Sequence, residues 1–195
     1  ATAANVETLR ARGAVFVGPA AGHLASGLVG VGRMAEPAEI LDTARLILAQ
    51  SGPLAGKHIV ITAGGTQEPI DPVRVITNRS SGKQGYAVAR AALDAGAAVT
   101  LITAPTALVP PLGCRVVPVK TAAEMQAAVL AETAQADALV MAAAVADFRP
   151  AETSSEKIKK EQTIPQIHLE RTADILADVA ARRAQSGFPR RVVGF

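Results

Sequence analysis

Two short stretches of the chain combine glycine, hydroxyl and lysine side chains in a way that suits phosphate binding. Residues 64–65 follow a β-branched apolar run, and residues 80–83 open a predicted helix. Glycine lets the backbone approach an anion with no Cβ atom in the way, and a helix N-terminus offers unpaired N–H groups. The candidates for phosphate contacts are therefore Gly64, Gly65, Ser80, Ser81 and Gly82.

Each stretch also has a purely structural interpretation. Gly64 and Gly65 can form an ordinary tight turn, and they do not match the GxGxxG dinucleotide pattern. Ser80 and Ser81 can cap the following helix. The presence of both stretches in one strand, loop and helix unit favours phosphate binding.

The loop between these stretches carries two further polar candidates, Arg74 and Asn78. An arginine can bind a carboxylate or a phosphate through two hydrogen bonds, and an amide can hold an acyl oxygen. Asn78 also has a structural alternative, because asparagine is common in turns.

A third region, residues 142–148, is a predicted strand end made of small residues followed by Asp147. Small side chains leave room for a flat base or a ribose, and Asp147 can bind a sugar hydroxyl or a metal, or cap a turn. Lys157 lies in a lysine-rich stretch within a predicted mobile flap, residues 147–165. This stretch is either a solvated charge run or a source of positive charge for a triphosphate.

Alternating strands and helices over residues 57–195 would position these groups. Short, continuously apolar strands separated by helices predict an α/β fold, with a Rossmann-like, doubly wound, mostly parallel sheet and helices on both faces. The ligand is expected at the carboxyl ends of the strands. The predicted strands are 58–62, 99–103, 115–119, 138–142, 167–169 and 192–193, and the predicted helices are 83–95, 122–133 and 173–183.

The first 50 residues follow a different pattern, which ends at a break rich in glycine and proline. We place a domain boundary at that break, residues 51–56. The elements predicted before it are a helix at 3–12, a buried strand at 14–17, an irregular glycine-rich loop at 18–34 and an amphipathic helix at 40–48 with Pro37 in its first turn.

Composition excludes several classes of protein. The chain has 195 residues, 49% of them hydrophobic, and a formal net charge of +3 whose basic residues are dispersed. Nucleic-acid motifs are absent, and no apolar run approaches the roughly 18 residues of a membrane span. The single cysteine predicts a cytoplasmic protein without disulfides. No cluster of His or Cys has the spacing of a zinc site, so the metal ligands stay unknown.

Three blocks of sequence are more specific: AGGTQEPIDPVRVITNRSSGKQGYAVA at residues 63–89, MAAAVADFRP at 141–150 and EKIKK at 156–160. Together they closely resemble the phosphopantothenoylcysteine synthetase (phosphopantothenate–cysteine ligase) half of the bifunctional bacterial coenzyme A biosynthesis family. The resemblance covers residues 57–195.

The resemblance implies a two-step ligation with CTP as co-substrate and Mg²⁺ as its metal ion. CTP activates the carboxylate of 4′-phosphopantothenate as an acyl-cytidylate, and L-cysteine then displaces CMP to form an amide. Asn78 and Arg74 match the residues that hold the activated carbonyl, and Lys157 matches the flap lysine needed for cytidylate formation.

The resemblance also implies a CTP site around the strand end at residues 142–148. The turn at residues 172–175 departs from the family, in which it usually reads Asn-Pro-Asp-Ile. The expected CTP-binding positions are Ala144, Asp147, Phe148, Lys157, Thr172, Ala173, Asp174, Ile175 and Phe195.

Residues 1–51 resemble the C-terminal part of the adjoining flavodoxin-like decarboxylase half, joined by a linker at 52–56 to the ligase domain at 57–195. FMN is expected only in the complete decarboxylase half, and Ser26 stands where many relatives carry the catalytic cysteine that donates a proton. We expect a ligase domain truncated at its C-terminus and a homodimer, with a larger assembly where a decarboxylase half is present. The alternatives are a non-catalytic nucleotide-binding or assembly module and an NAD(P) oxidoreductase.

Overall fold

The computed structural model describes residues 2–159 and 166–195. Its contacts divide the chain into two units, Ala1–Ile47 and Leu48–Phe195. Lys160, the last residue of the predicted lysine-rich stretch, lies outside the described residues, together with residues 161–165. The identity predicted for residues 1–51 stays a prediction. In the described part of the chain, no helix is long and apolar enough to cross a membrane.

The first unit contains a β-hairpin where the sequence suggested an irregular loop. The side chain of Leu24 packs against glycines of this hairpin: a Cβ added at Gly32 would lie 3.1 Å from Cδ2 of Leu24, and one at Gly30 would lie 3.7 Å from Cδ1. The predicted strand at 14–17 is wrong, since these residues pair with no strand among those described and Val15 is 60% exposed. The elements are α1 Thr2–Ala11, β1 Ala20–His23, antiparallel β2 Val29–Arg33 and α2 Pro37–Ala49, which ends in the second unit.

The second unit is the predicted α/β fold. Five parallel strands pair in the order β11-β8-β3-β6-β7. The elements are β3 His58–Ala63, β4 Gln67–Pro69, β5 Val75–Thr77, α3 Lys83–Asp94, β6 Ala98–Thr103, β7 Arg115–Pro118, α4 Ala122–Glu132, a short 3-10 helix Thr133–Gln135, β8 Ala138–Met141, β9 Phe148–Pro150, β10 Leu169–Arg171, α5 Ile175–Ser186 and β11 Arg191–Gly194.

The strand order creates a crevice beside β3. From β3 the chain moves outward to β6 and β7, and it then returns to the other side of β3 to form β8 and β11. In an open parallel sheet, ligands bind outside the carboxyl ends of the strands at such a reversal. The ends of β3 and β8 are therefore the place to look for a site.

Apolar residues hold the helices against both strands that flank this reversal. Val60, Leu139 and Ile102 in the sheet and Met125 and Val129 on α4 are all fully buried, at 0% exposure. Burying a side chain of this kind stabilises the fold by about 1.5–3 kcal/mol. The strands form a rigid base for the loops that follow them.

Two small antiparallel hairpins, β4–β5 and β9–β10, lie outside the main sheet. Strands β4 and β5 lie in the predicted loop at residues 67–77, β9 lies in the predicted flap at 147–165, and β10 lies at 169–171, where the predicted strand was 167–169. Each of these strands has three residues, which is too short to show an alternating pattern, and tertiary pairing defines them.

Candidate active site

Two buried threonines join the loops that follow β3 and β8. Oγ1 of Thr62 accepts hydrogen bonds from the backbone N–H groups of Ala142 and Ala143, both at 3.1 Å. Oγ1 of Thr66 accepts from the N–H of Ala146 at 2.9 Å. Both threonines are fully buried. Sequence reasoning missed them, although a hydroxyl at the end of a buried apolar strand is the signal that identifies such a residue.

Backbone hydrogen bonds bring the glycine turn onto the same loop. The N–H of Ala144 donates to the carbonyl of Gly64 at 2.8 Å, and the N–H of Thr66 donates to the carbonyl of Ala144 at 3.2 Å. Gly65 and Ala144 form a parallel bridge. The turn after β3 and the small-residue end of β8 are therefore one structure.

Asn78 also contacts this structure. Its Nδ2 donates to the carbonyl of Val145 at 3.2 Å and, at a longer 3.5 Å, to that of Ala144. Just before it, Oγ1 of Thr77 donates to the carbonyl of Thr66 at 2.7 Å. The predicted catalytic amide is thus held at the crevice between β3 and β8.

The glycines of the predicted phosphate turn pack closely against neighbouring loops. A Cβ atom added at Gly64, whose φ is +83°, would lie 2.9 Å from the carbonyl oxygen of Ala104. One added at Gly65 would lie 2.9 Å from the carbonyl oxygen of Asn78. Packing accounts for these two glycines, and their assignment to phosphate contacts stays a prediction.

The helix that follows, α3, begins without a side-chain cap. Its N-cap is Gly82, at φ +74°, and no side chain accepts a capping hydrogen bond there. Ser80 and Ser81 instead accept long contacts from the N–H groups of Gly82 and Lys83, at 3.4 and 3.5 Å. No capping side chain therefore covers the N-terminus of α3, which is the positive end of its helix dipole.

A cavity of about 680 Å³ opens at the carboxyl ends of β8 and β11. Eight of the predicted CTP-binding positions line it: Ala144, Asp147, Phe148, Thr172, Ala173, Asp174, Ile175 and Phe195. Met141, Ala143, Val145, Arg171 and Leu176 complete the lining. The structure therefore brings together every predicted CTP position except Lys157.

The turn at residues 172–175 is attached to the loop after β8. Oγ1 of Thr172 donates to the carbonyl of Ala146 at 2.6 Å, and its N–H donates to the carbonyl of Asp147 at 3.0 Å. Oδ1 of Asp174 accepts from the N–H of Ala177 at 2.9 Å and caps α5. Thr172, which departs from the family pattern, thus anchors one wall of the cavity.

Neither Arg74 nor Lys157 lines the cavity, and Arg74 belongs to a second cluster with Asp71 and Ile158, the residue after Lys157. The guanidinium of Arg74 donates through Nε to the carboxylate of Asp71 at 2.9 Å and through Nη2 to the carbonyl of Ile158 at 3.0 Å. This guanidinium, followed by backbone N–H donors, holds the pKa of Asp71 well below its usual range despite burial. Asp71 was not among the predicted site residues, because an aspartate before a proline in a loop is common in ordinary turns.

Ser26 lies exposed in the turn between β1 and β2 of the first unit. Its predicted place in a decarboxylase half stays a prediction. Within residues 2–159 and 166–195, no group of three His, Cys, Asp or Glu side chains is arranged to hold a metal ion.

Comparison with known proteins identifies a family and curated relatives. The model of the DNA/pantothenate metabolism flavoprotein C-terminal domain matches residues 54–195. The coenzyme A biosynthesis bifunctional protein CoaBC of Mycobacterium tuberculosis is 52% identical over 203 residues, which cover 100% of this chain and 49% of that protein. The Bacillus subtilis protein of that name is 44% identical over 184 residues, or 93% of this chain and 45% of the relative. The chain spans about half the length of these curated relatives.

Solved structures agree with the fold. The crystal structure of the C-terminal domain of CoaBC matches with a TM-score of 0.59 and 46% identity, covering 67% of this chain and 61% of that one. A Cab2 mutant in complex with phosphopantothenate-cysteine matches with a TM-score of 0.58 and 19% identity, covering 82% of this chain and 70% of that one. At that identity the second likeness shows the fold alone.

Proposed function

The chain belongs to the family of DNA/pantothenate metabolism flavoprotein C-terminal domains, and on that premise we propose that it ligates 4′-phosphopantothenate to L-cysteine in coenzyme A biosynthesis. In the first step a carboxylate oxygen of phosphopantothenate attacks the α-phosphorus of CTP, and pyrophosphate leaves. In the second step the amine of cysteine attacks the acyl carbon and loses a proton, and CMP leaves with the carboxylate oxygen.

The observation that carries this proposal is the cavity at the ends of β8 and β11. Small residues at 143–145 leave space for a flat base and a ribose, and the carboxylate of Asp147 is available to a sugar hydroxyl. The hydrogen bonds that Thr62 and Thr66 accept fix the loop after β8, which forms one wall of the cavity, in the absence of a ligand. Less conformational entropy is therefore lost when a ligand binds.

Asn78 would bind the acyl oxygen in the second step. Its Nδ2 carries two hydrogens, which the carbonyls of Val145 and Ala144 accept at 3.2 and 3.5 Å, and the acyl oxygen would replace the longer of these two bonds. A neutral amide donor that is already oriented stabilises negative charge on an oxygen as it develops. This role follows the resemblance and the position of Asn78 beside the cavity wall.

Lys157 and the N-terminus of α3 would supply positive charge for the phosphate groups, whereas Arg74 would act with Asn78 at the activated carbonyl, the role that the resemblance gives it. Mg²⁺ supplies further charge when it is bound with CTP. Because the described residues form no three-ligand cluster, we assign the metal mainly to the oxygens of the triphosphate, as is usual for Mg²⁺.

We also propose that the first unit acts only as part of a complete decarboxylase half, which would bind FMN. With Ser26 at the proton-donor position, we expect no decarboxylation by this chain. Homodimerisation through the ligase domain follows from the same resemblance. The oxidoreductase alternative is disfavoured by the family to which the chain belongs.

Calorimetric titration with CTP and Mg²⁺, with ATP as comparison, tests the proposal. We expect micromolar-class binding that favours CTP. Asp147→Asn should weaken binding about tenfold, because the hydrogen bond to the sugar hydroxyl loses the charge of its acceptor. The matched control, Asp94→Asn, changes an exposed carboxylate at the far end of α3 and should leave binding unchanged.

Release of pyrophosphate from CTP in the presence of 4′-phosphopantothenate separates the remaining possibilities. Release that requires phosphopantothenate supports a ligase. Binding of CTP without release would favour the non-catalytic nucleotide-binding module, and no binding at all would contradict the nucleotide site.

A further inference from the structure

The carboxylate of Asp71 accepts five hydrogen bonds although its side chain has no exposed surface. Oδ1 accepts from the backbone N–H groups of Val73 and Arg74, at 2.9 and 2.8 Å. Oδ2 accepts from Nε and Nη2 of Arg74 and, across 87 residues of chain, from the N–H of Ile158 at 3.2 Å. One buried carboxylate thus connects the turn after β4 to the segment at residues 153–158.

Three other hydrogen bonds attach the same segment to the same turn. Oγ1 of Thr153 donates to the carbonyl of Pro69 at 3.1 Å, and the N–H of Ser154 donates to the carbonyl of Ile70 at 3.0 Å. Nη2 of Arg74 donates to the carbonyl of Ile158 at 3.0 Å. Both backbone groups of Ile158 are therefore bound, one by Asp71 and the other by Arg74.

A tight turn precedes the lysine within this segment. Oγ of Ser154 donates to the carbonyl of Glu156 at 2.6 Å, and the N–H of Glu156 donates back to Oγ of Ser154 at 3.3 Å. Lys157 therefore lies between the turn closed by Ser154 and Ile158, whose N–H and C=O are hydrogen-bonded by Asp71 and Arg74. The contacts fix its backbone, while its own side chain is exposed.

We propose that Asp71 is a positioning residue, which holds residues 153–158 against the turn after β4 and thereby presents Lys157 to the phosphate groups of the nucleotide. The role of Lys157 in this statement rests on the function proposed above. The attachment of the segment by Asp71 does not, because it follows from the hydrogen bonds alone.

The chemistry of the site requires a carboxylate. An ionised carboxylate is acceptor-only, and all five of its partners here are donors. In Asp71→Asn the amide NH₂ must face either the two N–H groups of the turn or the donors from Arg74 and Ile158. One of the two attachments is lost whichever way the amide turns.

Hydrogen exchange of the whole chain measures the attachment directly. In Asp71→Asn we expect the amides of Ser154 and Ile158 to exchange about tenfold faster, because the bond to Ile158 is lost in one orientation of the amide and loses its charge in the other, where the turn at residues 70–74 loses its own acceptor. Glu152→Gln is the matched control, because it makes the same change of charge at an exposed position beside the segment. Unchanged exchange in Asp71→Asn, or an equal increase in Glu152→Gln, would overturn the proposal.

The parent chain gives a second measurement that does not depend on the variant folding. The amide of Ile158 should exchange at least about tenfold more slowly than the rate of an unstructured peptide, since its N–H is bound to a buried carboxylate. Exchange at the unstructured rate would overturn the attachment.

Kinetics then test whether the attachment positions Lys157. For pyrophosphate release we expect kcat of Asp71→Asn to fall about tenfold while KM for CTP stays within about twofold, because the cavity wall is unchanged. An equal fall for both variants, or a change in KM alone, would contradict the positioning role. If the parent releases no pyrophosphate, the proposed function fails, whereas the exchange measurements still decide the role of Asp71.

Discussion

At the scale of single residues, the glycines near the crevice serve the packing of loops. Gly82 combines φ +74° with the close approach of Thr106, whose Cγ2 would lie 2.8 Å from an added Cβ. Gly187 at the end of α5 has a similar φ of +77°, but nothing lies within 4 Å of its added Cβ. Comparing alanine at these two positions therefore separates the cost of a positive φ from the cost of a steric clash.

We expect Gly82→Ala to lower the free energy of unfolding by about 2–4 kcal/mol, because both backbone strain and a steric clash are introduced. Gly187→Ala carries the backbone strain alone and should cost about 1–2 kcal/mol. Urea unfolding of the two variants measures the difference. Equal losses would show that Thr106 moves aside without cost.

The residues that build the candidate site fall into two groups, those that were predicted from the sequence and those that were missed. Of the eight CTP positions that line the cavity, six came from the resemblance, and Ala144 and Phe148 came from the predicted strand end at residues 142–148; the structure brings all eight together. Thr62, Thr66 and Asp71 were missed, since threonine is an ordinary residue of strands and aspartate an ordinary residue of turns. Their roles depend on partners that are about 80 or more residues away in the chain.

At the scale of elements, the strands of the main sheet were predictable whether long or short, since β7, β8 and β11, with four residues each, were predicted to within one residue. Strands β3 and β6 and helices α3 and α4 were predicted to within one or two residues. The hairpin β1–β2 was missed because its strands contain several glycines, which are depleted in strands and weaken the sequence pattern. A run of apolar residues at 14–17 forms no strand because apolar character alone does not provide a pairing partner.

The exit loops of β3 and β8 depend on the hydroxyl of Thr62. In Thr62→Val the N–H groups of Ala142 and Ala143 lose their acceptor, and we expect the free energy of unfolding to fall by about 1–3 kcal/mol. CTP affinity should fall too, because the cavity wall loosens. Urea unfolding and calorimetry measure the two effects.

Thr100→Val is the matched control for that variant. Thr100 is also buried, but its hydroxyl contacts the side chains of His58 and Arg115 at 2.9 and 3.3 Å. Its loss should affect stability without changing CTP affinity. A loss of affinity in the control would mean that general destabilisation, and not the wall, explains the result.

The opposite ends of β3 and β8 are joined by Asp137. Its carboxylate accepts from the N–H of His58 at 3.0 Å and faces Lys57 and Arg190, and these groups lower its pKa, the His58 bond most of all. A pKa that folding lowers adds stability above the unfolded value, near 3.9, and this stability is lost as pH falls through the folded value.

We therefore expect Asp137→Asn to unfold at a lower temperature than the parent at pH 7. The gap between the two midpoints should shrink as the pH is lowered below about 4, where the carboxylate of the parent becomes protonated. Thermal unfolding followed by circular dichroism from pH 2.5 to 7 measures this. A gap that does not change with pH would contradict an electrostatic contribution.

At the scale of the whole molecule, the buried apolar residues lie almost entirely in the second unit. Among the described residues of the first unit, Ala35 is the only buried apolar one. The first unit therefore has too small an interior to contribute much folding free energy. The doubly wound fold of the second unit was predictable from the alternation of strands and helices. The scarcity of buried apolar residues in the first unit was not predicted from its sequence.

A variant that begins at residue 37 tests this division, since it keeps all of α2. We expect cooperative unfolding with a midpoint within about 4 °C of the parent, which corresponds to roughly 1 kcal/mol for a chain of this size. CTP binding by the variant should equal that of the parent. A much lower midpoint would mean that residues 2–36 stabilise the second unit.

Thr62 and Thr66 also bear on how such chains diverge. A descendant with valine at both positions would have the same side-chain shape, the same preference for strands and the same hydrophobic pattern, so it would adopt the same fold. It would still match the family, yet its nucleotide wall would be unattached. Within this family, changes at these two positions are therefore expected to weaken the proposed nucleotide site even where the glycine and lysine motifs are retained.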